Sequence, residues 1–143
     1  MERPRAVMSI GDSYNDKFSF RVNTKFPSMN EIIACAKKGG NGMAYARLKK
    51  RYTREVIDVL EQTRIPFDCY KIYAVFTWCV ANRRRDPDNI AVAVKFVFDA
   101  FVYAGLIKND GQRTIDGWYN NFKKVSEPDY VDVDVYCQTT KEG

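Results

Sequence analysis

The 143-residue chain contains no histidine. That absence removes Ser/His/Asp and Cys/His nucleophilic sites, His-ligated zinc, and any hydrolase built on a His general base. Cysteine is sparse. Cys35, Cys69, Cys79 and Cys137 are far apart and form no CxxC pair, which excludes a zinc ribbon or dithiol redox motif; reduced thiols in an intracellular protein are expected. No apolar run approaches the roughly 18 residues that span a bilayer. The N-terminal segment carries Arg3, Arg5, Asp12 and Asp16 where an export signal would need an apolar stretch, so a soluble, unexported, cytoplasmic protein without a membrane partner is expected.

What is present suits one domain. Apolar residues make up 45% of the chain, with nine Phe and nine Tyr, enough for a single core. Lys and Arg total 23 against 18 Asp and Glu, and the net charge of +5 favours an anionic partner such as nucleic acid.

Residues 1–17 read as a flexible arm, 18–137 as the folded domain and 138–143 as a tail. Phe18 to Val22 alternates as a first strand. Ser28, with Glu31 three residues on, resembles a capping box opening a short helix that ends at Gly39 and Gly40. The glycine-rich stretch 39–42 lacks the GK[ST] ending of a phosphate loop and reads as a turn. Between Met43 and Gln62, Tyr45, Leu48, Tyr52, Val56, Val59 and Leu60 recur at helical spacing. The other face holds Arg47, Lys50, Arg51 and Arg54, either as a solvated surface with Arg51–Glu55 and Arg54–Asp58 pairs or as a stripe that tracks phosphates. Tyr70 to Asn82 is apolar on both faces and reads as a central strand. Arg113 to Phe122 and Val131 to Cys137 read as two closing strands joined by a turn around Ser126 to Asp129. The class is α+β, a mixed β-sheet flanked by helices.

The chemistry concentrates between Arg83 and Asp110. Arg83, Arg84 and Arg85 lead into Asp86 and Asp88, whose carboxylates project the same way if the strand stays extended. Two carboxylates at a strand-to-helix junction suit a hard cation, since Mg²⁺ takes one or two carboxylates plus water and substrate phosphate. Asp88 or Asn89 is a natural N-cap for the following helix, where Ile90, Val94, Val97, Phe98 and Phe101 form one apolar face and Lys95 and Asp99 a narrow polar stripe. Gly105 ends that helix. The loop holding Lys108, Asn109 and Asp110 can return beside the end of the central strand if the flanking strands are neighbours, making Asp110 a third carboxylate.

The pattern RRRDPDN...K...D.....G....D, carried by Asp86, Asp88, Asn89, Lys95, Asp99, Gly105 and Asp110, resembles the RusA family of Holliday junction resolvases, particularly its phage and prophage members. The resemblance implies a homodimeric metal-dependent endonuclease, working in a bacterial host cell, that nicks two strands of a four-way DNA junction symmetrically. It further implies that Asp86, Asp88 and Asp110 bind Mg²⁺, or Mn²⁺ in its stead, that Lys95 assists catalysis, and that the Arg run contacts DNA. Outside this segment the agreement is one of element order. The interval from Asn89 to Lys95 is longer than in the bacterial protein that names the family, and each residue added within a continuous helix turns the residues beyond it by about 100°. Asn109 stands where an acidic neighbour of the third Asp is common.

Metal-assisted hydrolysis explains how a chain without histidine can cut a phosphodiester. Arg83, Arg84 and Arg85 would hold the flanking backbone without reading sequence. Asp132 and Asp134 repeat the DxD spacing but alternate with Val131, Val133 and Val135, the mark of a strand's solvent face. Glu55, Asp58 and Glu61 read as helix surface. The rival readings are a nuclease for flaps or forks, a junction-binding protein that does not cut, and a DxD sugar-nucleotide transferase, for which the chain is short.

Overall fold

The computed structural model describes residues 13–38, 42–81, 92–126 and 128–139. Arg83, Arg84, Arg85, Asp86, Asp88 and Asn89 lie outside them. The elements run β1 (Asp16–Val22), α1 (Met29–Lys37), α2 (Met43–Glu61), β2 (Lys71–Val80), α3 (Val94–Tyr103), β3 (Ile115–Lys124) and β4 (Tyr130–Gln138). The fold is α+β, with three helices and one mixed sheet of four strands in the order β1-β4-β2-β3 among the described residues.

β2 sits inside the sheet because both its faces are apolar: Ile72 through Cys79 are all buried. It runs parallel to β3 and antiparallel to β4. β3 and β4 are consecutive in the chain, yet β2 lies between them. The turn around Ser126 to Asp129 therefore does not close a hairpin but crosses the end of β2, where the Ala81 N–H donates to Asp129 Oδ1 at 3.0 Å and the Val125 N–H to the Val80 carbonyl at 3.1 Å. A buried central strand needs a partner on each side, and β3 and β4 supply them.

The helices pack against one face of the sheet. Ile72, Ala74, Phe76 and Trp78 of β2, Phe18, Phe20 and Val22 of β1, and Val131, Val133 and Val135 of β4 share a single core with Tyr52, Val56, Ile57 and Leu60 of α2 and the apolar face of α3. Phe98 is central, meeting Phe76 edge-on at 5.9 Å between ring centres and Trp118 at 5.3 Å, and Phe101 meets Phe20 at 6.0 Å. Each buried Phe contributes roughly 1.5–3 kcal/mol. The opposite face carries a smaller cluster of Tyr73, Val75 and Tyr136 with Tyr14 against it, and no helix covers it among the described residues.

Several boundaries move. The expected arm is not loose at its end: Asp16 and Lys17 belong to β1, Asn15 exchanges hydrogen bonds with Thr139, and Tyr14 donates to Asp116 Oδ2 at 2.5 Å. Tyr70 is exposed and β2 begins one residue later. The Ser28 capping box is present, with Glu31 N–H donating to Ser28 Oγ at 3.3 Å. Asp132 and Asp134 stand on the face away from the core, as their alternation with valines requires, paired with Arg21 and Ser19. All four cysteines are free thiols. No helix among the described residues is long and apolar enough to cross a membrane.

Candidate functional site

The regular turns of α3 begin at Val94, with Ala93 at the N-cap and no side-chain cap; the expected caps Asp88 and Asn89 lie outside the described residues. The first turn is entered through hydrogen bonds that span three residues instead of four, from the Lys95 N–H to the Val92 carbonyl at 3.5 Å and from the Phe96 N–H to the Ala93 carbonyl at 3.0 Å. Lys95 is thus the second residue of this helix.

Position then dictates pairing. Val94, Phe96, Val97, Phe98, Ala100 and Phe101 are buried, which leaves Lys95 and Asp99 one turn apart on the remaining stripe. Lys95 Nζ lies 3.0 Å from Asp99 Oδ1 and donates a short hydrogen bond to Asp110 Oδ2. From α2, Lys49 Nζ approaches the other Asp99 oxygen at 3.3 Å. That oxygen is buried, and Lys49 meets it as an ion pair without the alignment of a hydrogen bond. The Asp99 side chain is only 19% exposed, against 56% for Lys95 and 34% for Asp110, so Asp99 is the fixed anchor and the other two face solvent.

The loop carrying Asp110 is shaped by Asn109. Its amide oxygen accepts the Gly111 N–H at 3.0 Å and the Thr114 hydroxyl at 3.3 Å, while Thr114 and Ile115 N–H groups donate to the Gly111 carbonyl. An aspartate could accept the same bonds, but it would add a charge beside Asp110. The Ile72 N–H then donates to the Thr114 carbonyl at 2.9 Å, which ties the end of this loop to the start of β2. β3 is parallel to β2, so the end of the segment entering β3, at Thr114 and Ile115, is anchored at the first residues of the central strand, while Asp110 itself meets Lys95 in the first turn of α3.

Electrostatics follow from the contacts. The hydrogen bond from Lys95 holds the Asp110 carboxyl below its ordinary value, and the bonds to Asp110 and then Asp99 raise the Lys95 ammonium above its own. Both groups are charged across the neutral range. Lys95 can therefore stabilise an anion or orient a donor, and it cannot serve as a neutral general base near pH 7.

The basic stripe on α2 divides by occupation. Arg54 is engaged by Asp58 at 3.0 Å and Glu61 at 3.9 Å, and the Arg51 guanidinium lies over the Tyr52 ring at 5.0 Å. Arg47 and Lys50 are exposed on the same helix. α2 starts at Gly42 in a left-handed conformation, with no capping side chain and no acid in its first turn, so its positive end adds to these cations. Lys49 is the residue that sequence reasoning missed. Among the lysines and arginines of α2, only contact with α3 distinguishes it.

The structure brings Lys95, Asp99 and Asp110 together with Lys49 and places the α2 cations on an adjoining element. Asp86, Asp88 and the Arg83–Arg85 run lie outside the described residues. Among the described residues no group of three or more Asp, Glu, Cys or His side chains converges to hold a metal ion. Comparison of the chain with protein-family models and with curated proteins gives no match.

Proposed function

We propose that the protein is a metal-dependent endodeoxyribonuclease of the RusA type that acts as a homodimer on four-way DNA junctions. The observation that carries the reading is the meeting of Lys95 and Asp110, two residues of the family-like pattern that are separated in the chain and supplied by different elements.

The donor chemistry fits Mg²⁺. Asp110 is an exposed carboxylate kept ionised by its neighbour, and a hard cation asks for oxygen ligands and no histidine. Asp110, with Asp86 and Asp88, would hold the ion, which when bound supplies an activated water and charge at a nonbridging phosphate oxygen. The rest falls to the chain's own groups. Lys95 sets a permanent positive charge at the rim of the site, where developing negative charge at phosphorus is stabilised. Asp99 fixes the Lys95 rotamer from below, and Lys49 neutralises the second Asp99 oxygen, so the cluster keeps its geometry when a phosphate draws on Lys95. Arg47 and Lys50, with Arg83, Arg84 and Arg85, supply backbone contacts that hold the duplex arms without reading sequence. Arg51 and Arg54 join them by exchanging their present partners for phosphate. Two opposed nicks suit two such sites related by a two-fold axis.

The experiment is a cleavage series on labelled four-way junction, flap, fork and linear duplex, each with and without Mg²⁺. Paired symmetric nicks on the junction support the proposal. Cutting of flaps or forks alone moves the reading to a different branched substrate, and binding without cutting under Mg²⁺ or Mn²⁺ reduces it to a junction-binding protein.

A further inference from the structure

β3 is an edge strand among the described residues, and its own sequence lacks the usual protection of such an edge. It is ten residues long and contains no proline, and Trp118, Tyr119 and Phe122 remain 48%, 42% and 39% exposed. A long edge of unpaired backbone groups is a template for another strand, and proteins blunt it with proline, bulges or inward charge. Here the only register irregularity is at the very start, beside Asp116, and the other charges, Lys123 and Lys124, stand at the far end. The opposite edge, β1, differs: its Phe18, Phe20 and Val22 are buried, and Lys17 and Arg21 take its exposed positions.

The hydrogen bonds determine which backbone groups are free. The Val125 N–H points to β2, and a strand residue directs its N–H and C=O to one side while its neighbours direct theirs to the other. Tyr119, Asn121 and Lys123 therefore serve β2, and Trp118, Asn120, Phe122 and Lys124 present their backbone outward. Antiparallel pairing of two such edges must set outward residues against outward residues. With Asn120 opposite its own copy, Trp118 faces the partner subunit's Phe122. Shifting the register one way sets Trp118 against Asn120 and Phe122 against Asp116; shifting it the other way sets Trp118 against Lys124. A register centred on Trp118 or on Phe122 sets that one aromatic against its own copy, whereas the central register makes two aromatic pairs, and it brings the Asp116 end of each strand to the Lys123–Lys124 end of the other.

The geometry points to a symmetric homodimer in which β3 pairs antiparallel with β3 of a second copy, with Asn120 on the two-fold axis. Such an axis stands perpendicular to the sheet, so the helices and the Lys95–Asp110 clusters of both copies lie on the same side of one continuous sheet. The interface deepens the nuclease reading and rests on it only for its purpose, since the complementarity is a property of the strand.

Sedimentation of the full chain without DNA tests it, together with oxidation of an Asn120→Cys variant in a Cys35→Ser background by diamide, which takes up the two thiol hydrogens as the S–S bond forms. Directly opposed residues of a hydrogen-bonded pair lie about 5.5 Å apart, within disulfide reach. The expected results are a dimer, a linked dimer from Asn120→Cys but not from Tyr119→Cys, and association weakened at least about tenfold by Phe122→Lys with an unchanged circular dichroism spectrum. A monomeric chain, or a dimer that Asn120→Cys fails to link, overturns the interface. A linked dimer that leaves junctions uncut supports the interface while contradicting the nuclease reading, and a monomer that cuts them does the reverse.

Discussion

Lys95 and Asp110 form an ion pair between the second residue of α3 and the loop that enters β3, fifteen positions apart in sequence. The pair is exposed enough to exchange partners and is anchored beneath by Asp99, which is mostly covered. An arrangement with one covered carboxylate, one more exposed carboxylate and a lysine between them is suited to handing its charges to a phosphate.

Replacing Lys95 by Met should lower junction cleavage by roughly 100- to 1000-fold, the range expected when one group stabilising transition-state charge is removed. Junction affinity, measured by gel shift in Ca²⁺, should change far less. Equal losses in binding and cleavage would make Lys95 a DNA contact only.

Asp99→Asn and Lys49→Met should each give a smaller loss, located in kcat, because they release the Lys95 side chain without removing it. Single-turnover rates on saturating enzyme would separate this from weaker binding. If Lys49→Met instead weakens binding alone, Lys49 belongs with Arg47 and Lys50 as a phosphate contact.

The pH dependence has a definite sign. Asp110 is depressed below its ordinary 3.8, so its contribution is present above that pH and is lost as pH falls through the lower folded value. Lys95 is raised above 10.5, so its contribution is full below 10.5 and is lost only as pH rises through the higher folded value. Neither titrates between them. The Lys95→Met and wild-type pH–rate profiles should therefore run parallel from about pH 6 to 9, and an inflection that disappears in the variant would show Lys95 titrating as a base.

Much of this architecture is legible in residue order. The alternation of Phe18 to Val22, the Ser28 and Glu31 cap, the helical spacing from Tyr52 to Leu60 and the two-sided apolar run of β2 all reflect local periodicity, and each forms where expected. What local pattern cannot carry is pairing. Nothing in Ser126 to Asp129 distinguishes a hairpin from a turn that straddles β2, and so the order β1-β4-β2-β3 and the anchoring of the Asp110 loop at the start of β2 become visible only in three dimensions. The same limit hid Lys49, whose role depends on how α2 crosses α3. Asp99, ambiguous as a simple helix pair with Lys95, is resolved by that third contact.

The α2 cations should not act equally. Arg47→Ala or Lys50→Ala should each reduce the salt dependence of junction binding by about 0.9 in the log–log slope if one phosphate contact is lost. Arg54→Ala should do less, because Arg54 must first leave Asp58 and Glu61. Equal slopes for all three would remove the distinction.

Phe101→Ala serves as the stability control. Phe101 is fully buried between Phe20 and Phe98, so truncation should destabilise the fold by about 3–5 kcal/mol. Urea unfolding should show this shift for Phe101→Ala and almost none for Lys95→Met; a comparable shift in the latter would mean that its lost cleavage reflects unfolding.

The most direct measurement is cleavage of a labelled four-way junction in Mg²⁺ by the wild-type chain and by Asp110→Asn, with junction binding followed in parallel. The account predicts paired symmetric nicks by the wild type, and bound but uncut junction with the variant. Failure of the wild type to cut in either Mg²⁺ or Mn²⁺, or undiminished cutting by Asp110→Asn, would contradict it.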